Sequence, residues 1–108
     1  MKITKSETWD PQAKVEFTLV PIRGLEEEVK AMMHGVHKHG KDGWRGTVPV
    51  CPLLDKTLRH IFQFLAGEDI DPESGLHHLG KAKADLGMAI ENLLEYPNLD
   101  DRYEAKQP

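Results

Sequence analysis

The chain has 108 residues, 39% of them hydrophobic and 30% charged, with a formal net charge of −4 and a single cysteine. That is one domain with one modest core, too apolar for a disordered chain and too acidic for a general nucleic-acid binder. No apolar run approaches the ~20 residues that span a bilayer, the N-terminus carries no apolar signal segment, and Cys51 has no partner for an intrachain disulfide; no membrane association and a reducing, cytoplasmic setting are expected.

Residues 1–16 read as an N-terminal arm, and the alternation in VEFTLV (Val15 to Val20) predicts one short strand. Residues 17–96 carry the helical domain. A first helix is expected from Gly24 to Gly40, with Leu25, Val29, Met32, Met33 and Val36 on one face. Glu26, Glu27 and Glu28 would fill its first turn, where the helix dipole favours negative charge. A loop with three glycines and two prolines follows, from Gly40 to Pro52. A second helix runs from Leu53 to Ala66 on the stripe Leu54, Leu58, Ile61, Phe62 and Leu65, and Gly67 ends it. The third begins at Pro72 or Leu76 and reaches Tyr96, with Leu79, Ala82, Leu86, Ala89, Ile90, Leu93 and Leu94 apolar and Pro97 as the stop. Residues 97–108 form a polar, loose tail.

The fold class is all-α, a small helical bundle of three main helices with an extended N-terminal arm. The apolar arc of the third helix is wider than two short partners cover. Completion by homo-oligomerisation, as a dimer or higher, is therefore expected, with the site near a subunit interface.

Two stretches carry the candidate chemistry. From Gly67 to Asp85 the chain gathers Glu68, Asp69, Asp71, Glu73, His77, His78 and Asp85. Oxygen ligands and imidazoles that close together indicate a divalent-metal site, for Mg²⁺ or Mn²⁺. His78, Lys81 and Asp85 share one helix face beside the apolar stripe and would point into a crevice. The loop HKHGKDGWRG offers Lys38, His39, Lys41, Trp44 and Arg45. A carboxylate cluster facing a basic loop suits a metal-bound polyphosphate.

Simpler roles stand beside these. Asp71 before Pro72 suits a helix N-cap with proline in the first turn. Glu26 and Glu27 suit a solvated first turn, and His34 and His37 a helix C-terminus. His60, beside Ile61 and Phe62, suits a hydrogen-bonded core histidine, and Trp44 a plug at the bundle end. No zinc-finger, His-Glu-x-x-His, P-loop or Gly-x-Gly-x-x-Gly spacing occurs.

The order of LVP (19–21), LEEEV (25–29), HGVHKHGKDGWRG (34–46), LLDKTLRHIFQFLAGEDIDPESGLHHLGKA (53–82) and Asp85 resembles a known family. It is that of the phage and bacterial dATP/dGTP diphosphohydrolase (MazZ-type) domains, relatives of the all-α MazG-like nucleotide pyrophosphohydrolases. The resemblance covers residues 17–95 and is most specific from Arg59 to His78. The chain differs from the family pattern at His39 (an aromatic there), His77 (proline), Lys81 (histidine) and Asp85 (asparagine).

The resemblance implies metal-dependent hydrolysis of a purine deoxynucleoside triphosphate to the monophosphate and pyrophosphate, by a phage-encoded protein in the host cytoplasm. It implies Glu28, Glu68 and Asp71 as catalytic metal ligands, His78 as a further ligand, and His60 as a ligand or phosphate donor. Lys38, Lys41 and Arg45 would neutralise phosphate charge, Trp44 would stack on the base, and His39, Lys81 and Asp85 would contact the substrate. A non-catalytic protein that sequesters a nucleotide is the alternative, and a purely structural oligomer a third.

Overall fold

The structure is a computed structural model describing residues 8–103. A 3-10 turn at Phe17–Leu19 precedes helix α1 (Ile22–His39). Helix α2 (Val50–Leu65), strands β1 (Ile70–Asp71) and β2 (Leu76–His77), and helix α3 (His78–Glu95) follow, and a 3-10 turn at Pro97–Leu99 ends the order. The strands form an antiparallel hairpin that sets Ile70 opposite His77 and Asp71 opposite Leu76.

Helix α3 is the spine, with α1 and α2 both packed against it. Small residues make the approach close. A Cβ added to Gly80 of α3 would lie 2.8 Å from the Glu27 carbonyl oxygen of α1, so only glycine fits the crossing. Ala82, Ala84 and Ala89 of α3 are buried with Ala31 of α1 and Val50 and Leu53 of α2. Among the largest wholly buried side chains are Leu53, Val50, His78 and Asn92, so two of these four are polar. Each of those two needs hydrogen-bond partners inside the protein, and each finds them.

The all-α bundle of three helices is as expected, and Gly40, Gly67 and Pro97 mark its helix ends. The details differ. Residues 15–20 form no strand; they make the 3-10 turn, with Phe17 and Leu19 exposed. A lone strand with no neighbour leaves its backbone unpaired, and a turn satisfies part of it locally. Helix α1 starts at Ile22 behind Pro21, two residues early, so Glu26–Glu28 lie past its first turn. Helix α2 starts at Val50, with Pro52 inside its first turn, where a missing N–H has no intrahelical partner to lose.

Asp71 does not cap α3. That helix is capped by His77, whose Nδ1 accepts the Leu79 N–H at 3.0 Å. The loose tail is in part docked: the Asp101 carboxylate accepts the Cys51 N–H at 2.8 Å, at the start of α2. The first seven residues of the expected arm and residues 104–108 of the tail lie outside the described residues.

Candidate active site

Helices α1 and α2 diverge above α3 and leave a cavity of about 320 Å³ between them. Helical spacing explains its walls. His34, Gly35 and Lys38 come from α1, Lys56, Arg59, His60 and Gln63 from α2, and Lys81, Ala84, Asp85 and Met88 from α3. These sets repeat every three or four residues, so each helix presents one face to the same space. The hairpin closes one side with Asp71 and Glu73.

At the hairpin end the polar groups converge. His60, Asp71 and His78 each offer one ligand atom, all within 4.8 Å of one another. The Nδ1 atoms of His60 and His78 are 2.8 Å apart, and His78 Nε2 is 2.7 Å from Glu68 Oε1. His78 is wholly buried. With Nε2–H donating to Glu68, the ring can turn its Nδ1 lone pair towards His60. A carboxylate holding the far nitrogen of an imidazole in this way fixes the tautomer and raises the basicity of a metal-binding histidine. Two nitrogens bound at right angles to one ion, at about 2.0–2.1 Å each, would sit about 3 Å apart. The pair spacing and the donor set fit a divalent cation.

The surrounding charges are mixed. Asp71 accepts the Glu73 N–H at 3.0 Å and stands 3.6 Å from Lys81 Nζ. Burial pushes its carboxyl up, but that N–H and the Lys81 ammonium outweigh it and hold the carboxyl below its usual range. Burial pushes His60 down, helped by Lys81 and by His78, which favours the neutral, ligating imidazole. Asp85 is pushed up to about 6 by burial, although Lys56, Lys81 and Arg59 oppose the shift. Lys81 Nζ also lies 3.4 Å from His34 Nδ1, and Lys38 pairs with Glu73 at the rim.

A second cavity, of about 330 Å³, adjoins the first at the loop end of the cleft. It is more apolar, with Met32, Val36, Trp44, Val48 and Leu53 in its walls. Ala31, Gly35, His39, Lys56 and Met88 line both cavities.

The structure brings together Glu68, Asp71, His78 and His60; of these Asp71 and His60 line the polar cavity, as do Lys38, His39, Lys81 and Asp85. It does not bring Glu28 there: its carboxylate is 3.5 Å from Lys83, and it lines neither cavity. Lys41 is exposed and also outside both. Trp44 walls the apolar cavity. Arg45 covers the Trp44 ring at 4.5 Å and spends its guanidinium on Glu91, at 3.2 Å, and Asp42, at 3.4 Å.

Lys56, Arg59 and Gln63 were not among the expected site residues. The signal was present: Lys56, His60 and Gln63 recur at helical spacing on a face away from Leu58 and Phe62. Asn92 was missed too. Its amide donates to the Trp44 and Val48 carbonyls at 3.1 and 2.9 Å, its oxygen accepts the Gly46 N–H at 3.1 Å, and so it pins the loop to α3.

The sequence pattern of the dATP/dGTP diphosphohydrolase N-terminal domain family matches residues 4–102. The chain belongs to that family. A dATP/dGTP diphosphohydrolase of Salmonella phage PMBT28 is 33% identical over 91 residues, which cover 84% of this chain and 31% of that relative. This chain thus spans less than a third of the relative's length. No solved structure matches it. Both cavities fall within the stretch that matches the dATP/dGTP diphosphohydrolase N-terminal family.

Proposed function

We propose that this chain binds a purine deoxynucleoside triphosphate in the cleft between α1 and α2 and hydrolyses it to the monophosphate and pyrophosphate. The observation that carries the reading is one cavity lined by His60 and Asp71 of the His60–Asp71–His78 donor cluster, with His78 buried behind them, and by the cations Lys38, Lys56, Arg59 and Lys81. Membership of the family and the name of the phage relative support the same reaction class. The reading extends to a phage-encoded homo-oligomer acting in the host cytoplasm.

His60 Nδ1, His78 Nδ1 and Asp71 would hold the cation, with Glu68 orienting His78. Imidazole donors favour Mn²⁺ over Mg²⁺, which prefers an all-oxygen shell. Held there, a divalent ion supplies charge to the phosphate oxygens and acidity to water. The protein's own cations do the rest of the binding. Lys56 and Arg59 face the cavity from α2 and Lys81 from α3, so they offset the phosphate charge from two sides. Water adds to the α-phosphorus, the α–β bridging P–O bond breaks, and pyrophosphate leaves. Asp85, with its carboxyl near 6, is suited to take the proton that water gives up.

One observation favours a second reading, a protein that sequesters nucleotide without turnover: the Lys81 ammonium already stands 3.6 Å from Asp71 and supplies positive charge inside the cluster. Incubation with each of the four deoxynucleoside triphosphates and Mn²⁺ or Mg²⁺ separates the two. Hydrolysis predicts pyrophosphate and monophosphate in equal amounts from the purine substrates. Saturable binding without turnover establishes the sequestering reading, and neither binding nor turnover removes both.

A further inference from the structure

We infer that the apolar cavity at the loop end of the cleft is the subsite for a purine base, and that Gly35 lies at the opening joining it to the phosphate cavity. This rests on the nucleotide reading of the polar cavity. Three observations carry it. The two cavities share a wall, so one ligand reaches both. Their chemistry divides as a nucleotide's does: cations, carboxylates and imidazoles in one, Trp44, Met32, Val36 and Val48 in the other. Trp44 offers an aromatic wall to a planar base, steadied by the Arg45 guanidinium over its ring and by Asn92 holding its carbonyl. His39, Asp42 and Lys56 add polar groups for the base edges.

Gly35 is the third observation. It sits within α1, where glycine weakens a helix, and no close contact requires it: a Cβ there meets nothing within 4 Å. Gly80 differs, since the Glu27 backbone blocks a Cβ. Gly35 lies on the wall the two cavities share, with Ala31, His39, Lys56 and Met88, and on α1 it marks the border between them: positions 34 and 38 line only the polar cavity and 32 and 36 only the apolar one. A side chain at 35 would stand in the passage.

The test is Gly35→Leu, titrated by calorimetry in the presence of Mn²⁺ with two probes. One is a purine deoxynucleoside triphosphate with a non-hydrolysable α–β link, and the other is inorganic tripolyphosphate. Aromatic stacking of a base carries on the order of 10-fold in affinity. The expected result is a loss of about 10-fold or more for the nucleotide with tripolyphosphate affinity retained, and a melting temperature equal to or above that of the unsubstituted protein. Val36→Trp, which fills the apolar cavity alone, should show the same split. Unchanged nucleotide affinity in both variants overturns the base subsite and leaves the phosphate reading standing, as does an equal loss of both probes. If the unsubstituted protein binds neither probe, the nucleotide reading fails and the subsite fails with it.

Discussion

Asp85 is buried on the cavity wall, and burial lifts its carboxyl to about 6 in spite of Lys56, Lys81 and Arg59 nearby. In the unfolded chain the same group titrates near 3.9. Between those values the folded state holds the proton and the unfolded state does not, so Asp85 makes stability fall as pH rises from about 4 to 6. Above 6 the charged carboxylate costs its full penalty, about 3 kcal/mol. Asp85→Asn keeps the shape and removes the charge. Urea denaturation should therefore find the variant about 3 kcal/mol more stable than the unsubstituted protein at pH 7 and equal to it near pH 4. A gain of the same size at both pH values would tie the effect to packing instead. Asp71 has the opposite sign: its lowered carboxyl contributes stability above its unfolded value and loses it as pH falls through the folded one. The difference between the protein and Asp85→Asn isolates one group from the other.

The loop between α1 and α2 has little regular structure, and three hydrogen bonds from Asn92 hold it to α3. Asn92→Ala takes the amide away from the Val48 carbonyl and the Gly46 N–H, while the Trp44 carbonyl still accepts the Thr47 and Val48 N–H groups, at a cost of about 2–4 kcal/mol in denaturant midpoint measurements. Nothing in the sequence distinguishes Asn92 from a surface asparagine, because its three partners lie 44–48 residues away. Helix ends were legible, since glycine and proline act on the local backbone. Helix faces were not. The stripe Leu58, Phe62, Leu65 points outward, and α2 instead buries Val50, Leu53 and Thr57 against α3. Periodicity finds an apolar face but does not say what covers it. The hairpin was hidden because two-residue strands are too short to alternate, and Asp71-Pro72 imitates a helix start. The proximity of Glu68, Asp71 and His78 was legible because they are close in sequence. The cleft cations Lys56 and Arg59 depend on which way α2 turns. Arg45 and Glu28 have the right charge for a site, but the fold pairs them with Glu91 and Lys83.

At the scale of the molecule the apolar stripes remain uncovered. Leu58, Phe62 and Leu65 of α2 and Leu86, Ile90 and Leu94 of α3 are exposed, along with Phe17, Leu19 and Ile22 ahead of and at the start of α1. Apolar exposure on this scale among the described residues is what a homo-oligomer would cover. Light scattering should give a mass at least twice 12.2 kDa, and a strict monomer at micromolar concentration would contradict the oligomer. The narrower proposal lies in the cleft: His60, Asp71 and His78 would hold a divalent metal. Calorimetric titration of Mn²⁺ into the protein and into Asp71→Asn tests it most directly. Asparagine keeps the oxygen that accepts the Glu73 N–H, so the hairpin turn survives and only the ligand charge is lost. The account predicts one saturable site in the unsubstituted protein and an affinity about 10-fold or more weaker in Asp71→Asn, with nearly the same melting temperature. Equal affinity in the two proteins, or no saturable Mn²⁺ binding in either, would contradict it.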